Sequence, residues 1–253
     1  MIKEIKKDKL LCKIFSTRDK MGAAAADEIY SAITALLEKK ESINMIFAAA
    51  PSQNEVLENL CKKDIPWERI NAFHMDEYIG LKEDAPQRFG NFLENAIFGK
   101  VNFKSVNYIN ASATDIENEC ERYSKLLREN PVDIVCLGIG ENGHIAFNDP
   151  GVAQFDDPVL IKPAQLDLVC RNQQVNDGCF EKLDDVPETA LTLTIPALVN
   201  AEYMFCVVPA PTKANAVYAT MTGPVTEDCP ATIMRMHHKA ILYCDYDSGA
   251  KLL

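Results

Sequence analysis

Two short segments of the chain hold the residue types that acid–base chemistry needs. AFHMDEYIGL (72–81) ends a run of apolar residues in the acidic pair Asp76 and Glu77. GIGENGHIAFNDPG (138–151) places His144 in a glycine-rich turn, with Asn142 two residues before it and Asp149 five residues after. An imidazole ordinarily titrates near ~6.5, so it can give and take a proton near neutrality, and a nearby carboxylate can fix its tautomer. A carboxylate at a strand end can serve as the base that takes a proton from carbon. Adjacent strand residues face opposite sides, so only one of Asp76 and Glu77 should point into a given cleft.

GIGENG (138–143) fits the glycine spacing of dinucleotide sites and follows an apolar run. The Pro150-Gly151 break falls where the phosphate-binding helix should begin, and no acidic strand end follows at ~20 residues. A nicotinamide or flavin cofactor is therefore not expected. Gly140 and Gly143 read instead as positions where backbone approaches a ligand closely. AAAPSQNE (48–55) and PTKAN (211–215) each lead from a strand into a helix. Such starts favour a phosphate, to which Ser52 could add a hydroxyl and Lys213 a charge. His237 and His238, with Asp245 or Asp247 beyond, match no standard zinc spacing, and no metal is expected.

The elements that must position these groups alternate in α/β fashion. Strands are predicted at INMIFAAA (43–50), RINAFHMDEY (69–78), VNYIN (106–110), PVDIVCLGIG (131–140), EYMFCVVPA, TIMRM and KAILYCD. Helices are predicted over Ala23–Leu37 behind a capping box at Ser16–Asp19, and over Asn54–Lys63, 86–98, Thr114–Asn130 and about Thr212–Met221. Functional residues of such sheets gather at the carboxyl ends of strands, where MDEY, the glycine turn, FAAAPSQ and APTK all fall.

The chain has 253 residues, 47% of them apolar, with no linker-like tract, and one domain over residues 1–253 is expected. No apolar run approaches a membrane span, and the charged N-terminus does not fit a secretion signal. Nine scattered cysteines, several within apolar runs, read as reduced thiols of a cytoplasmic protein. The net charge of −11 argues against a nucleic-acid surface but allows one phosphorylated small molecule.

In order and spacing, these segments resemble the glucosamine-6-phosphate deaminase/isomerase family, related to the 6-phosphogluconolactonases. AFHMDEYIGL, VDIVCLGIGENGHIAFNDPG (132–151), ALTLTIPALVNAE (190–202), VVPAPTKANAV (207–217) and CPATIMRMHHKAILYCD (229–245) carry the likeness. It implies a Rossmann-like three-layer α/β/α fold with a mostly parallel central sheet and no redox cofactor. It implies conversion of glucosamine 6-phosphate and water to fructose 6-phosphate and ammonia. Asp76 would move a proton from C2 to C1, and His144, oriented by Asn142 and Asp149, would assist ring opening. Ser52, Glu77, Gly140, Gly143 and Lys213 are the expected substrate contacts. A lactonase-like hydrolase and a non-catalytic sugar-phosphate binder are the alternatives.

The chain also departs from the family pattern. Ala49-Ala50-Pro51-Ser52 stands where Thr-Gly-Gly-Thr is usual, and Pro51 removes a backbone donor. The usual phosphate-holding arginine has no clear match in CRNQQVNDGCF (170–180), which leaves Arg171 or Arg88 as stand-ins. Asp149 replaces a glutamate. VAQFDDP (152–158) is acidic where allosteric hexamers are basic, so a monomer or homodimer is expected.

Overall fold

The computed structural model describes residues 1–253 as a three-layer α/β fold. Its main sheet contains β1 (Lys3–Lys7), β2 (Leu10–Ile14), β3 (Ile43–Phe47), β4 (Ile70–His74), β6 (Ser105–Asn107), β7 (Ile134–Leu137), β10 (Tyr203–Val208) and β11 (Ala240–Cys244). Their order is β1-β2-β11-β10-β7-β3-β4-β6, parallel throughout except for the β1–β2 hairpin. A small antiparallel sheet joins β5 (Asp76–Tyr78), β9 (Thr189–Leu193) and β8 (Ile161–Gln165), in that order. The helices are α1 (Arg18–Leu37), α2 (Asn54–Cys61), α3 (Phe89–Leu93, continued by a π turn over Glu94–Phe98), α4 (Ile116–Glu129), α5 (Leu168–Asn176), α6 (Ile195–Val199) and α7 (Ala214–Thr222).

Burial on both faces explains the apolar runs. Ile134 and Cys136 of β7 join one core cluster, and Val135 and Leu137 join the other. A parallel sheet covered on both sides demands such strands. Full burial of an aliphatic side chain such as Ile134 or Leu137 contributes ~1.5–3 kcal/mol.

Several elements differ from the sequence reading, each for a local reason. RINAFHMDEY is not one strand. The chain bends at Met75 and passes from the main sheet into the small one. The His74 ring fixes the bend: Nδ1 donates to the Asp76 carbonyl at 2.9 Å, and Nε2 accepts the Ile109 N–H at 2.8 Å. Burial holds this histidine down at a pKa of about 4, so it is neutral and can fill both roles. TIMRM lies within a 3-10 stretch, Pro230–Met236, rather than a strand. There the Thr232 hydroxyl bonds the backbone of Thr226 and Cys229, which competes with ladder pairing. The cap of α1 is Thr17, which accepts the Lys20 N–H at 3.2 Å, one residue beyond the start of the expected box.

The charged N-terminus is itself an edge strand. Lys3, Glu4, Lys6 and Lys7 of β1 stay exposed, a pattern that discourages edge-to-edge pairing. No helix is long and apolar enough to cross a membrane.

Candidate active site

Strand order dictates where the cleft opens. From β3 the chain winds outward through β4 to β6, and from β7 it winds the other way through β10 to β11. The loops after β3 and β7 therefore diverge, leaving a crevice at the carboxyl ends of two adjacent strands. Ala48, Ala49, Ala50 and Ser52 line it with Gly138, Ile139, Gly140 and His144, joined by Asp76 from β5, Lys213 after β10, and Gln173, Gln174 and Asp177 from the α5 segment. The cleft is narrow, about 70 Å³ against the ~300–1,000 Å³ of drug-sized ligand sites, with Gln173, Gln174 and Asp177 of the α5 segment along one wall.

Asp76 enters through the small sheet, paired with Thr192 of β9. Its carboxylate accepts no hydrogen bond from the protein, and Phe89 and Phe147, which line the cleft with it, stack on each other with ring centroids 5.6 Å apart. Burial, with the Glu77 charge next to it, raises the Asp76 pKa well above the usual carboxylate range. A carboxylate without donors in an apolar setting is a stronger base than one in water.

Glu77 faces the other way, as strand alternation requires. Its carboxylate accepts the N–H groups of Tyr78, Phe89 and Gly90 at 2.9–3.0 Å and caps α3, with Arg88 at 3.7 Å. The expected Glu77 contact with substrate is therefore replaced by a structural task. Arg88 stays with Glu77 and Ser112, while Arg171 donates to the carbonyls of Leu183 and Val186. Neither arginine lines the cleft, and each is held by partners of its own.

His144 is held from behind. Its Nδ1 lies 2.8 Å from Asp149 Oδ1 and 2.7 Å from Asn142 Oδ1, while Asn142 Nδ2 donates to Asp149 and Asp167. Burial alone would raise the Asp149 pKa, but the hydrogen bonds from His144 and Asn142 outweigh it and hold the value low. The ionised carboxylate thus keeps the proton on Nδ1, leaving Nε2 as the ring's free acceptor. The same small sheet secures this loop. Thr192 Oγ1 accepts the Phe147 N–H at 3.0 Å, and Asn148 Nδ2 donates to the carbonyls of Ile145 and Leu193. These bonds hold Ala146 at φ +49°, a conformation costly for a residue with a Cβ. One three-stranded sheet therefore sets both Asp76 and His144.

The two glycines differ in task. A Cβ on Gly140 would sit 2.1–2.4 Å from three atoms of the His144 ring. Gly140→Ala is expected to displace the imidazole and lower kcat/KM by about 10²-fold, because ~1 Å of misplacement at a reacting group costs that much. Steady-state assay of the variant checks this. Gly143 does not line the cleft. It turns at φ +87° against Cys229 and is a structural position rather than a contact.

At the other end, Ser52 and Lys213 lie as expected in the cleft wall. Gln53 Nε2 donates to Ser52 Oγ at 3.1 Å, which leaves the Ser52 proton free for a ligand. Lys213 is the sole lysine or arginine lining the cleft. Its pKa is lowered by burial, against which Asp177 and Glu141 act. Both helix starts open on a proline, Pro51 and Pro211, and so lack their first N–H. Gln173, Gln174 and Asp177 were not read from the sequence, since α5 carries only a weak apolar stripe. A larger hollow of about 530 Å³ beside Tyr203, Phe205 and Lys239 shares no residue with this cleft.

The family described as glucosamine-6-phosphate isomerases/6-phosphogluconolactonase matches residues 16–243. Proteins named glucosamine-6-phosphate deaminase from Bacillus cereus (strain B4264) and Bacillus thuringiensis (strain Al Hakam) are each 32% identical over 223 residues, 88% of this chain and 83% of theirs. The solved structure of a monomeric glucosamine-6-phosphate deaminase superposes with a TM-score of 0.85 at 25% identity, covering 94% of this chain and 98% of its own. A 6-phosphogluconolactonase from Thermotoga maritima shares the fold, with a TM-score of 0.77 at 21% identity over 94% of this chain and 100% of its own.

Proposed function

The chain belongs to the glucosamine-6-phosphate isomerase/6-phosphogluconolactonase family, and within it we propose a deaminase acting on glucosamine 6-phosphate or a close amino-sugar phosphate. The products are fructose 6-phosphate and ammonia, with one water consumed. The observation that carries this reading is the pairing, in one cleft, of an unbonded buried carboxylate with an imidazole whose free nitrogen is held as an acceptor.

His144 Nε2 takes and returns the proton exchanged as the pyranose opens to the aldehyde. The C2–H then lies next to a carbonyl and is acidic. Asp76 removes that proton, the electrons pass to the carbonyl oxygen, which takes a proton from water, and an enol bearing the amine forms at C1–C2. Return of a proton to C1 gives the imine at C2, and water displaces ammonia from it. Asp76 must be ionised to begin, so its raised pKa moves the acid limb of the rate profile above the ordinary carboxylate range. Activity is lost as pH falls through that raised value.

At the phosphate end, Lys213 Nζ and Ser52 Oγ hold the phosphoryl group. Lys213→Ala is expected to raise KM for 6-phosphorylated substrate by at least about 10-fold with a smaller change in kcat, because an interaction kept in ground and transition states acts on binding. Initial-rate measurements decide it, and an unchanged KM removes Lys213 from the phosphate.

A monomer or homodimer in a reducing cytoplasm fits this reading, supported by nine free cysteines and the monomeric relative. An ammonia-release assay across 6-phosphorylated amino sugars tests the function. Hydrolysis of 6-phosphogluconolactone with no ammonia from any amino sugar would replace it with the hydrolase.

A further inference from the structure

Behind the catalytic face of His144 lies a second set of donors. The His144 imidazole, the Asp149 carboxylate and the Cys170 thiol bring one ligand atom each within 4.8 Å of one another. Asp149 and Cys170 are fully buried and His144 is 7% exposed. Asp149 Oδ2 is enclosed and has no hydrogen-bond partner, an unusual state for a buried ionised oxygen. Asp167 caps α5 by accepting the Cys170 N–H at 2.6 Å, which places the Cys170 backbone beside the cluster, and it also accepts from Asn142.

We propose that His144 Nδ1, Asp149 and Cys170 form an inhibitory binding site for a thiophilic divalent cation of the zinc class. One nitrogen, one carboxylate oxygen and one sulfur are the donors such ions prefer, with water in the fourth place. Metal bonds of ~2.0–2.3 Å fit a triangle of this size after a small opening of the 2.8 Å pair between Nδ1 and Asp149 Oδ1.

The proton balance explains the inhibition. The metal takes the lone pair of Nδ1, so the proton held there moves to Nε2, and the Cys170 thiol releases its proton to solvent. One metal enters and one proton leaves. The ring remains neutral, but its cleft-facing nitrogen is now an N–H and can no longer accept a proton. The metal thus switches the tautomer that Asp149 otherwise enforces.

The inference rests on His144 acting through Nε2, and a binding measurement independent of turnover separates the two claims. Apo-protein is titrated with cadmium chloride while the ultraviolet thiolate–cadmium band is recorded, and ammonia release is followed at buffered free zinc. Cys170→Ala and Cys170→Ser are compared with the parent, so that the half-buried thiols Cys61, Cys120, Cys179 and Cys229 cancel in the difference. The expected result is one fewer thiolate–cadmium equivalent in both variants, basal activity within about two-fold, and half-inhibition shifted to at least ~10-fold more zinc. Cadmium stoichiometry and zinc sensitivity equal to the parent's in either folded variant overturn the site. Loss of the cadmium equivalent without any change in zinc inhibition overturns the tautomer switch.

Discussion

Asp76→Asn is expected to lower kcat by about 10²–10⁴-fold and, at neutral pH, to raise the melting temperature. Asparagine keeps the shape of the side chain but cannot take a proton from carbon. The gain in stability follows from the same burial that makes the carboxylate basic. Desolvation and the Glu77 charge raise the folded-state pKa of Asp76 above its unfolded value near ~3.9. Below the unfolded value, both states are protonated and the site costs nothing. As pH rises from there to the raised folded value, the native state binds more protons than the unfolded state, so stability falls. Above the raised value, the whole cost of a buried charge is present, and asparagine removes it. Each kcal/mol relieved is worth roughly 2–4 °C in a chain of this size. Calorimetry of both proteins from pH 4 to 8 should therefore show a melting-temperature advantage that grows with pH. A variant that melts lower at pH 8 would place the stabilising charge elsewhere.

His144→Gln is expected to lose about 10²–10⁴-fold in kcat with little change in KM, since it removes a proton carrier that does not touch the phosphate. Asp149→Asn should approach the same loss although the imidazole is still present. With a neutral amide behind it, Nδ1 no longer has a fixed anionic acceptor, and the tautomer with a free Nε2 is no longer enforced. The two effects are not additive, because both act on one proton, so the double variant should be barely slower than His144→Gln. Steady-state kinetics of the three variants measure this. Full additivity would mean that Asp149 acts independently of the ring.

The parts of the site that were legible beforehand are those where chemistry and periodicity coincide. VDIVCL announced a strand buried on both faces, and the glycine turn after it located His144 with Asn142 and Asp149. Alternation required Asp76 and Glu77 to diverge, but it did not say which one faced the cleft. That was decided by the bend at Met75, which depends on the His74 ring reaching Ile109, a contact distant in sequence. The small sheet was hidden for the same reason: β5 is three residues long, and its partners β8 and β9 lie far along the chain. Gln173, Gln174 and Asp177 went unread because α5 is polar and short, and its place over the cleft comes from tertiary packing. Arg88 and Arg171 show the opposite failure, since side-chain type alone offered them to a phosphate while local backbone and carboxylate partners claim them.

The most direct test follows the hydrogen on C2. Glucosamine 6-phosphate deuterated at that carbon is incubated with the parent and with Asp76→Asn, and NMR reports where the label goes. The parent is expected to remove the deuteron from C2, delivering it to C1 or to water in step with ammonia release, while the variant leaves it on C2. Ammonia released with the deuteron still at C2, or label lost from the variant at the parent's rate, would contradict that role of Asp76.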